Sequence, residues 1–452
     1  MQNVGVQPTQ LTPLPTGDGV FISTYGCQMN VNDTERMLSL LEMIGYQEVM
    51  SPEEASLIII NSCSIREKPV HKVHSEVGRY RKLKAANPRL RVGVAGCVAQ
   101  QEKEKLKLDL PLIDFVIGTD AIDTLPEVVG RVREGESVVK ARFNHSDPYH
   151  VETMVRNPGV STFVNITKGC DNFCSFCIVP FTRGRERSRP LAQVVDDIQK
   201  LVARGVREVT LLGQNVNSYE SECGANFAKL LKTLATDTDI RRIRYTTSHP
   251  QDFSDELIHV MADHSAKIME YIHLPVQSGN SEVLARMNRG YTREQYLDRC
   301  RSIFQHLPNA VLSTDIIVGF PGETEEQFQD TMSLLEEVPY ENIYAFHYSP
   351  RPLTKAARYT EQVPDEVKNA RLTRLLARHR EIAFELAKRY EGMTLEVLVE
   401  KFDEETGRVQ GRSTQNKSVH FAGPKELIGQ NVMVKITEAF PLTMRGEWQR
   451  DN

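Results

Sequence analysis

The chain has 452 residues, of which 40% are hydrophobic and 25% charged, with a formal net charge of −5 and eight cysteines. No run approaches the roughly 18 apolar residues of a membrane helix, and the cysteines are too sparse for a small secreted disulfide scaffold. That excludes a helical membrane protein and leaves a globular chain with room for about three domains.

Residues 1–18 are polar and rich in Pro and Gly, without the basic-then-apolar pattern of a secretion signal. They are expected to form a disordered tail, and the protein is expected to be cytoplasmic. From Gly19 to about Gly135, short apolar runs alternate with helical stretches, and strands are expected over 20–25, 57–61, 91–95 and 114–117. Asn32-Asp33-Thr34-Glu35 carries a helix-start signal and Gly45 a stop. Alternation of this kind implies βαβ units and a doubly wound parallel sheet. Within it, nine Lys or Arg stand against two Glu between Arg66 and Arg91, including Arg79, Arg81 and Lys82. Such a run fits a phosphate backbone as well as it fits a solvated helix face.

Three cysteines of this region each end or follow an expected strand, in Tyr25-Gly26-Cys27, Asn61-Ser62-Cys63 and Ala95-Gly96-Cys97. Singly, each reads as a small buried apolar residue. Together they lie along the edge where the carboxyl ends of a parallel sheet meet and where ligands bind. Three thiols converging there suggest a three-cysteine iron–sulfur cluster. Residues 141–160, with Asp147-Pro148 and Asn157-Pro158-Gly159, read as a linker.

Between residues 161 and 390 six further strands are expected, over 162–167, 208–212, 242–247, 269–274, 310–318 and 342–348, with capped helices between them. Six units are too few for a closed eight-unit barrel, so an open six-stranded (β/α) barrel is expected, with its chemistry at the carboxyl ends of the strands. Cys170-x3-Cys174-x2-Cys177 follows the first of these strands directly. Three thiolates on one loop hold three irons of a cubane and leave the fourth iron open. Structural zinc, the other reading, needs four ligands, and no second cysteine pair stands nearby. An open iron binds substrate groups, and the amino and carboxylate groups of S-adenosylmethionine (SAM) suit it.

Polar residues at the other strand ends are candidates for holding such a cofactor: Gly213, Gln214, Asn215, Ser248, His249, Gln277, Ser278 and Asp315, with Phe176 placed to pack on adenine. Just after the cysteine loop, Arg183, Arg185, Arg187 and Arg189 offer guanidinium groups to a phosphate backbone. A second basic stretch, from Arg371 to Arg389, reads as a long helix. From about residue 391 the pattern turns to short alternating strands, over 394–401, 408–413 and 431–437, as in a small antiparallel β-barrel of the nucleic-acid-binding kind. Cys223 and Cys300 have no such placement and read as ordinary thiols.

After about Gly19 the sequence resembles the radical SAM methylthiotransferases, and within them the MiaB-type branch that acts on tRNA. The segments that carry the resemblance are Ser23-Thr24-Tyr25-Gly26-Cys27-Gln28-Met29-Asn30, Ile178-Val179-Pro180-Phe181-Thr182-Arg183-Gly184-Arg185-Glu186 and Gly213-Gln214-Asn215-Val216-Asn217-Ser218-Tyr219. One departure is Phe181, where the branch often has Tyr. The resemblance implies an amino-terminal cluster domain over 19–140, a radical SAM domain over 161–390 and a TRAM domain over 391–452. It also implies two [4Fe-4S] clusters, on Cys170, Cys174 and Cys177 and on Cys27, Cys63 and Cys97. The first would generate a radical from SAM, the second would handle sulfur, and another SAM would give the methyl group. The implied product is a methylthio group on carbon 2 of isopentenyladenosine beside the tRNA anticodon. An electron donor such as flavodoxin and a sulfur-donor system would be partners. Threonylcarbamoyladenosine in tRNA and an aspartate of a ribosomal protein are the substrates of sister branches, and a zinc-bearing, non-catalytic RNA-binding protein is the alternative of another class.

Overall fold

A computed structural model describes residues 18–64, 67–143, 149 and 151–450, so the expected tail lies outside it except for Asp18, which opens the first strand. The chain divides into two compact units. The first comprises Met1–Ser146, Met154–Arg156 and Phe181–Arg183, and the second takes the rest.

The first unit is a six-stranded parallel sheet. Its strands are β1 Asp18–Tyr25, β2 Tyr46–Glu48, β3 Leu57–Ser62, β4 Arg91–Gly96, β5 Phe115–Ile117 and β6 Val138–Lys140, in the order β2-β1-β3-β4-β5-β6. The four expected strands are present. Two more, β2 and β6, are three-residue edge strands, partly polar and partly exposed, so they lack the buried apolar run that marks the equally short β5. Successive residues of β3 face opposite sides, as pleating requires. Leu57 and Ile59 pack with Met37, Leu41, Val128 and Val132 of the helices Gln28–Glu42 and Leu125–Arg133. Ile58 and Ile60 pack with Val73, Val77 and Leu106 on the other face. The chain therefore winds both ways from β1 and β3, which makes the β1/β3 junction the topological switch point, the place where such sheets take ligands.

In the second unit, β7 Ser161–Asn165, β10 Glu208–Leu212 and β11 Arg242–Tyr245 form one parallel sheet, and β12 Tyr271–His273, β13 Val311–Val318 and β14 Tyr340–His347 form another. A parallel bridge between Ile243 and Ile268 joins them. The result is the expected open arc of six strands in chain order, with a short ribbon of β8 Thr167–Lys168 and β9 Arg187–Ser188 at its first strand end. The basic helix is present as Asp365–Lys388, but it lies on β14 and its arginines are engaged. Arg371 pairs with Glu323, Arg374 with Glu325 and Arg378 with Glu336.

The last segment closes into a barrel of β15 Thr394–Asp403, β16 Arg408–Ser413, β17 Ser418–Ala422, β18 Asn431–Ala439 and β19 Thr443–Trp448. Its pairings are antiparallel except β17 with β19, and β17 and β19 are the two strands that periodicity missed. Val397, Val409, Val419, Phe421, Val434 and Met444 fill it. Two buried arginines of β11 hold the barrel to the arc: Arg242 donates to the Arg412 carbonyl at 2.7 Å and Arg244 to the Ser413 carbonyl at 2.7 Å.

Candidate functional site

Register brings the first cysteine triad together. Tyr25 is the partner of Ser62, and Ser62 of Gly96, so β1, β3 and β4 end level and their next residues leave the sheet side by side. Cys27 caps the helix Gln28–Glu42, and Cys97 opens the helix Cys97–Glu102, where the free N–H groups favour a thiolate. The Cys63 thiol lies between the other two, in hydrogen-bonding reach of both. Its hydrogen bonds pull Cys27 down to about 6 and Cys97 down to about 7 against the cost of burial, and the nearby Arg183 cation helps both. Cys63 itself is pushed up, because its proton serves two neighbours. Cys27 and Cys97 are thus close to giving up their protons, as metal binding requires, while Cys63 holds its own.

Among the described residues no three His, Cys, Asp or Glu side chains close on a single ion. A zinc site needs that closure and a fourth ligand, whereas a cubane takes each thiolate on a different iron. Donor chemistry and spacing therefore fit a three-cysteine cubane.

A buried polar frame fixes these loops. Cys27 donates to Asn30 Oδ1 at 3.5 Å, Asn30 donates to Asn61 Oδ1 at 3.1 Å, and Asn61 returns bonds to the Asn30 carbonyl at 2.8 Å and Thr34 Oγ1 at 2.9 Å. Neither asparagine was among the expected site residues. Asn61 had a signal, as the one amide in the run Leu-Ile-Ile-Ile-Asn-Ser. Gly96 sits at φ +88°, and a Cβ there would lie 2.4 Å from Asn61 Oδ1 and 2.8 Å from the Ser62 carbonyl. Gly96→Ala is expected to destabilise the first unit by about 2–6 kcal/mol, backbone strain plus overpacking, and to lower iron uptake on the triad. Unchanged urea unfolding and iron content would contradict that.

Arg183 completes the frame. It belongs to the first compact unit, although the chain on either side belongs to the second. Its guanidinium pairs with Asp33 at 2.7 Å, with 4% and 8% of the two side chains exposed. Asp33, Cys97 and Cys27 raise its pKa well above normal although burial works against that. This differs from the expected phosphate contact, since a buried, paired guanidinium is not available to a nucleic-acid backbone. Arg189 is likewise buried, on Asp197 at 2.6 Å. Arg185 is exposed and pairs with Asp171, and Arg187 lies 5.8 Å over the Tyr149 ring. In the first unit, Arg79 is largely exposed beside Glu76, and Arg81 and Lys82 face solvent.

The second triad sits on the loop after β8. Cys170 and Cys177 are pushed up to about 11 and about 12 by burial; Cys170 also feels the charge of Cys174, and Cys177 those of Cys174 and Cys170. The loop is gripped from two later segments. Asn288 donates to the carbonyls of Asn172 and Phe173 at 3.0 and 3.1 Å, and Arg289 donates to Cys174 Sγ at 3.3 Å. The Ser175 amide bonds the Met287 carbonyl at 2.9 Å, and its carbonyl accepts from Ala356 at 2.8 Å. Three thiols on one loop have the donor chemistry of a cubane with one open iron.

The expected cofactor residues are all buried or half-buried, and most have partners within the fold. Gln214 accepts from the Gly169 amide at 2.5 Å and so shapes the cysteine loop, and Gly213 is required because a Cβ would lie 2.0 Å from Thr167 Oγ1. Asn215 donates to Asp252 at 2.6 Å, and Ser278 lies 3.5 Å from Thr331 Oγ1. Ser248 Oγ and His249 Nε2 are buried without a hydrogen-bond partner among the described residues, and burial together with Arg289 pushes His249 down to about 3, so its imidazole is neutral. Gln277 adopts φ +73°, and Asp315 faces His273 at 3.5 Å. Phe176 packs on the apolar cluster of Val283, Met287 and Phe320. Glu186, with burial as the main cause, is raised to about 7 and stands near Asp171 and Asp252. Cys300 is a core residue and Cys223 an exposed one.

Comparison with known proteins matches residues 19–118 to an uncharacterized protein family, UPF0004, residues 164–335 to the radical SAM superfamily and residues 388–448 to the TRAM domain. The chain is 63% identical over 432 residues to the tRNA-2-methylthio-N(6)-dimethylallyladenosine synthase of Bdellovibrio bacteriovorus, covering 95% of each. It is 42% identical to the synthase of the same name from Aquifex aeolicus, covering 94% of this chain and 98% of the other. Among solved structures, the radical S-adenosylmethionine methyltransferase TsrM of Kitasatospora setae, with cobalamin and a [4Fe-4S] cluster bound, aligns with a TM-score of 0.57 at 16% identity over 76% of this chain and 77% of that one, a likeness of fold. Among the described residues no helix is long and apolar enough to cross a membrane.

Proposed function

The chain belongs to the family of tRNA-2-methylthio-N(6)-dimethylallyladenosine synthases, and we propose that Cys170, Cys174 and Cys177 hold its radical-generating cluster and Cys27, Cys63 and Cys97 its sulfur-handling one. The enzyme is a radical SAM transferase that places a methylthio group on carbon 2 of isopentenyladenosine in tRNA. When bound, the clusters and SAM supply the electron, the radical, the sulfur and the methyl group.

The chain's own residues do the rest. Asn30, Asn61, Arg183 and the level ends of β1, β3 and β4 hold one set of thiols in place. Asn288, Arg289 and Gln214 hold the other loop. Ser248 and His249, buried with unused hydrogen-bonding atoms at the carboxyl end of β11, are suited to bind a polar cofactor such as SAM. Gln277 and Asp315 stand at neighbouring strand ends. The closed barrel of β15–β19 and exposed Arg185 are suited to grip tRNA, and Arg79, Arg81 and Lys82 to a second stretch of backbone. Functional boundaries fall at 19–140, 161–390 and 391–452. A flavodoxin-class electron donor and a separate sulfur-donor system complete the reaction.

The observation that carries this reading is the pairing of two separate three-thiol sets, each at the carboxyl ends of parallel strands. Deleting the protein from its cell should remove the methylthio-isopentenyladenosine that mass spectrometry detects in tRNA nucleosides, leaving isopentenyladenosine in its place. An unchanged nucleoside profile would remove the substrate assignment. Zinc without iron after anaerobic reconstitution would remove the enzyme reading in favour of a structural RNA-binding protein.

A further inference from the structure

Arg289 is a buried cation with no carboxylate ion-paired to it among the described residues. It is 5% exposed, and the side chains that act on it most are Tyr291 and Cys174. A guanidinium taken out of water without a counter-charge is costly, so its retention at this spot needs a reason. Its surroundings aim it at one atom. Nε donates to the Tyr291 hydroxyl at 3.0 Å and Nη2 to the Pro275 carbonyl at 2.8 Å, just beyond the end of β12. Tyr291 is in turn fixed by donating to the Val276 carbonyl at 2.9 Å. With two edges of the planar fork locked, the remaining Nη1 points at Cys174 Sγ, 3.3 Å away. The sequence separation is 115 residues, so the contact is made by the arc of strands and not by the loop itself.

We propose that Arg289 is a positioning residue that sets the reduction potential of the cluster on Cys170, Cys174 and Cys177, by donating a charged hydrogen bond to the Cys174 sulfur. This rests on the ligand assignment above. Three thiolates outweigh the charge of a cubane core, and one-electron reduction adds a further negative charge. A fixed cation with an N–H on a ligand sulfur stabilises the reduced form more than the oxidised form, which raises the potential; hydrogen bonds to sulfur and net charge are the known levers. The charge is also the counter-ion that Arg289 otherwise lacks. Lysine cannot copy it, because an ammonium lacks the planar fork that Tyr291 and Pro275 hold in register.

The test uses the full chain, reconstituted anaerobically, with the midpoint read by electron paramagnetic resonance on the signal that SAM addition perturbs, which marks the cluster with the open iron. R289Q is expected to keep about eight irons per chain and to be at least tenfold harder to reduce, a fall of 59 mV for one electron. R289K is expected to fall in the same direction by less. A midpoint equal to the parent's in R289Q with full iron overturns the inference. Should R289Q lose iron, R289K decides: a lowered midpoint supports the hydrogen bond and an unchanged one overturns it. Cys174→Ala separates this inference from the ligand assignment, because a variant that keeps about eight irons sinks the assignment itself.

Discussion

Cys63→Ala is expected to cut the iron of reconstituted protein from about eight to about four per chain and to bring methylthio-isopentenyladenosine below detection, while SAM is still cleaved reductively. Cys63 is the middle thiol of its triad, in hydrogen-bonding reach of Cys27 and Cys97 alike, so its loss removes one ligand and the bond that holds the other two near deprotonation. The loop bearing Cys170, Cys174 and Cys177 has its own supports in Asn288, Arg289 and Ser175, none of which involves the first triad. Removing one set therefore separates radical generation from sulfur insertion. Iron assay, 5′-deoxyadenosine formation and nucleoside mass spectrometry read the three outcomes independently. Full iron in the variant would sink the assignment of Cys63, and simultaneous loss of SAM cleavage would sink the division of labour.

Arg183→Met should destabilise the first unit by about 3–5 kcal/mol, because it leaves Asp33 as an uncompensated charge in a site sealed from water. The pair is nearly inaccessible and joined at 2.7 Å. The double change Arg183→Met with Asp33→Leu is expected to recover most of that loss, since an apolar pair of similar volume is often neutral against a buried ion pair. The recovery should not extend to the first triad. Arg183 is the cation that favours the thiolate forms of Cys27 and Cys97, so the stable double variant is expected to take up iron there more weakly. Hydrogen exchange at β3 and β4 reads the stability, and iron titration reads the site. A single variant within about 1 kcal/mol of the parent would mean that the pair contributes nothing; full iron affinity in the double variant would mean that the charge is irrelevant to the cysteines.

Much of this was readable along the chain because the informative features are local. A cysteine loop is one segment, and an apolar run such as Leu57–Ser62 shows its strand character in six consecutive residues. The position of Cys27, Cys63 and Cys97 just past such runs was enough to place them on one edge, since all strands of a parallel sheet end on the same side. Where short elements lie at a sheet edge and carry polar residues, the signal fails. β2 and β6 offer three residues each, less than two full alternations. In the closed barrel, β17 and β19 were missed although five and six residues long. Ring closure pairs them side by side in parallel, a neighbourhood that neither segment displays by itself.

The sequence alone carried the three-domain plan and the position of both sets of cysteines just past strand ends, because those features are local to the chain. Only the tertiary structure decided which charges serve those centres. Arg183 and Arg185 are indistinguishable in a basic run, yet one is sealed against Asp33 beside the thiols and the other is exposed on Asp171. Arg289 carries no mark in its own segment, and it meets Cys174 only because the arc of strands brings residues 115 apart together. Burial and partner are what turn an arginine from a solvated cation into a determinant of cysteine chemistry, and both are properties of the folded surroundings rather than of the residue.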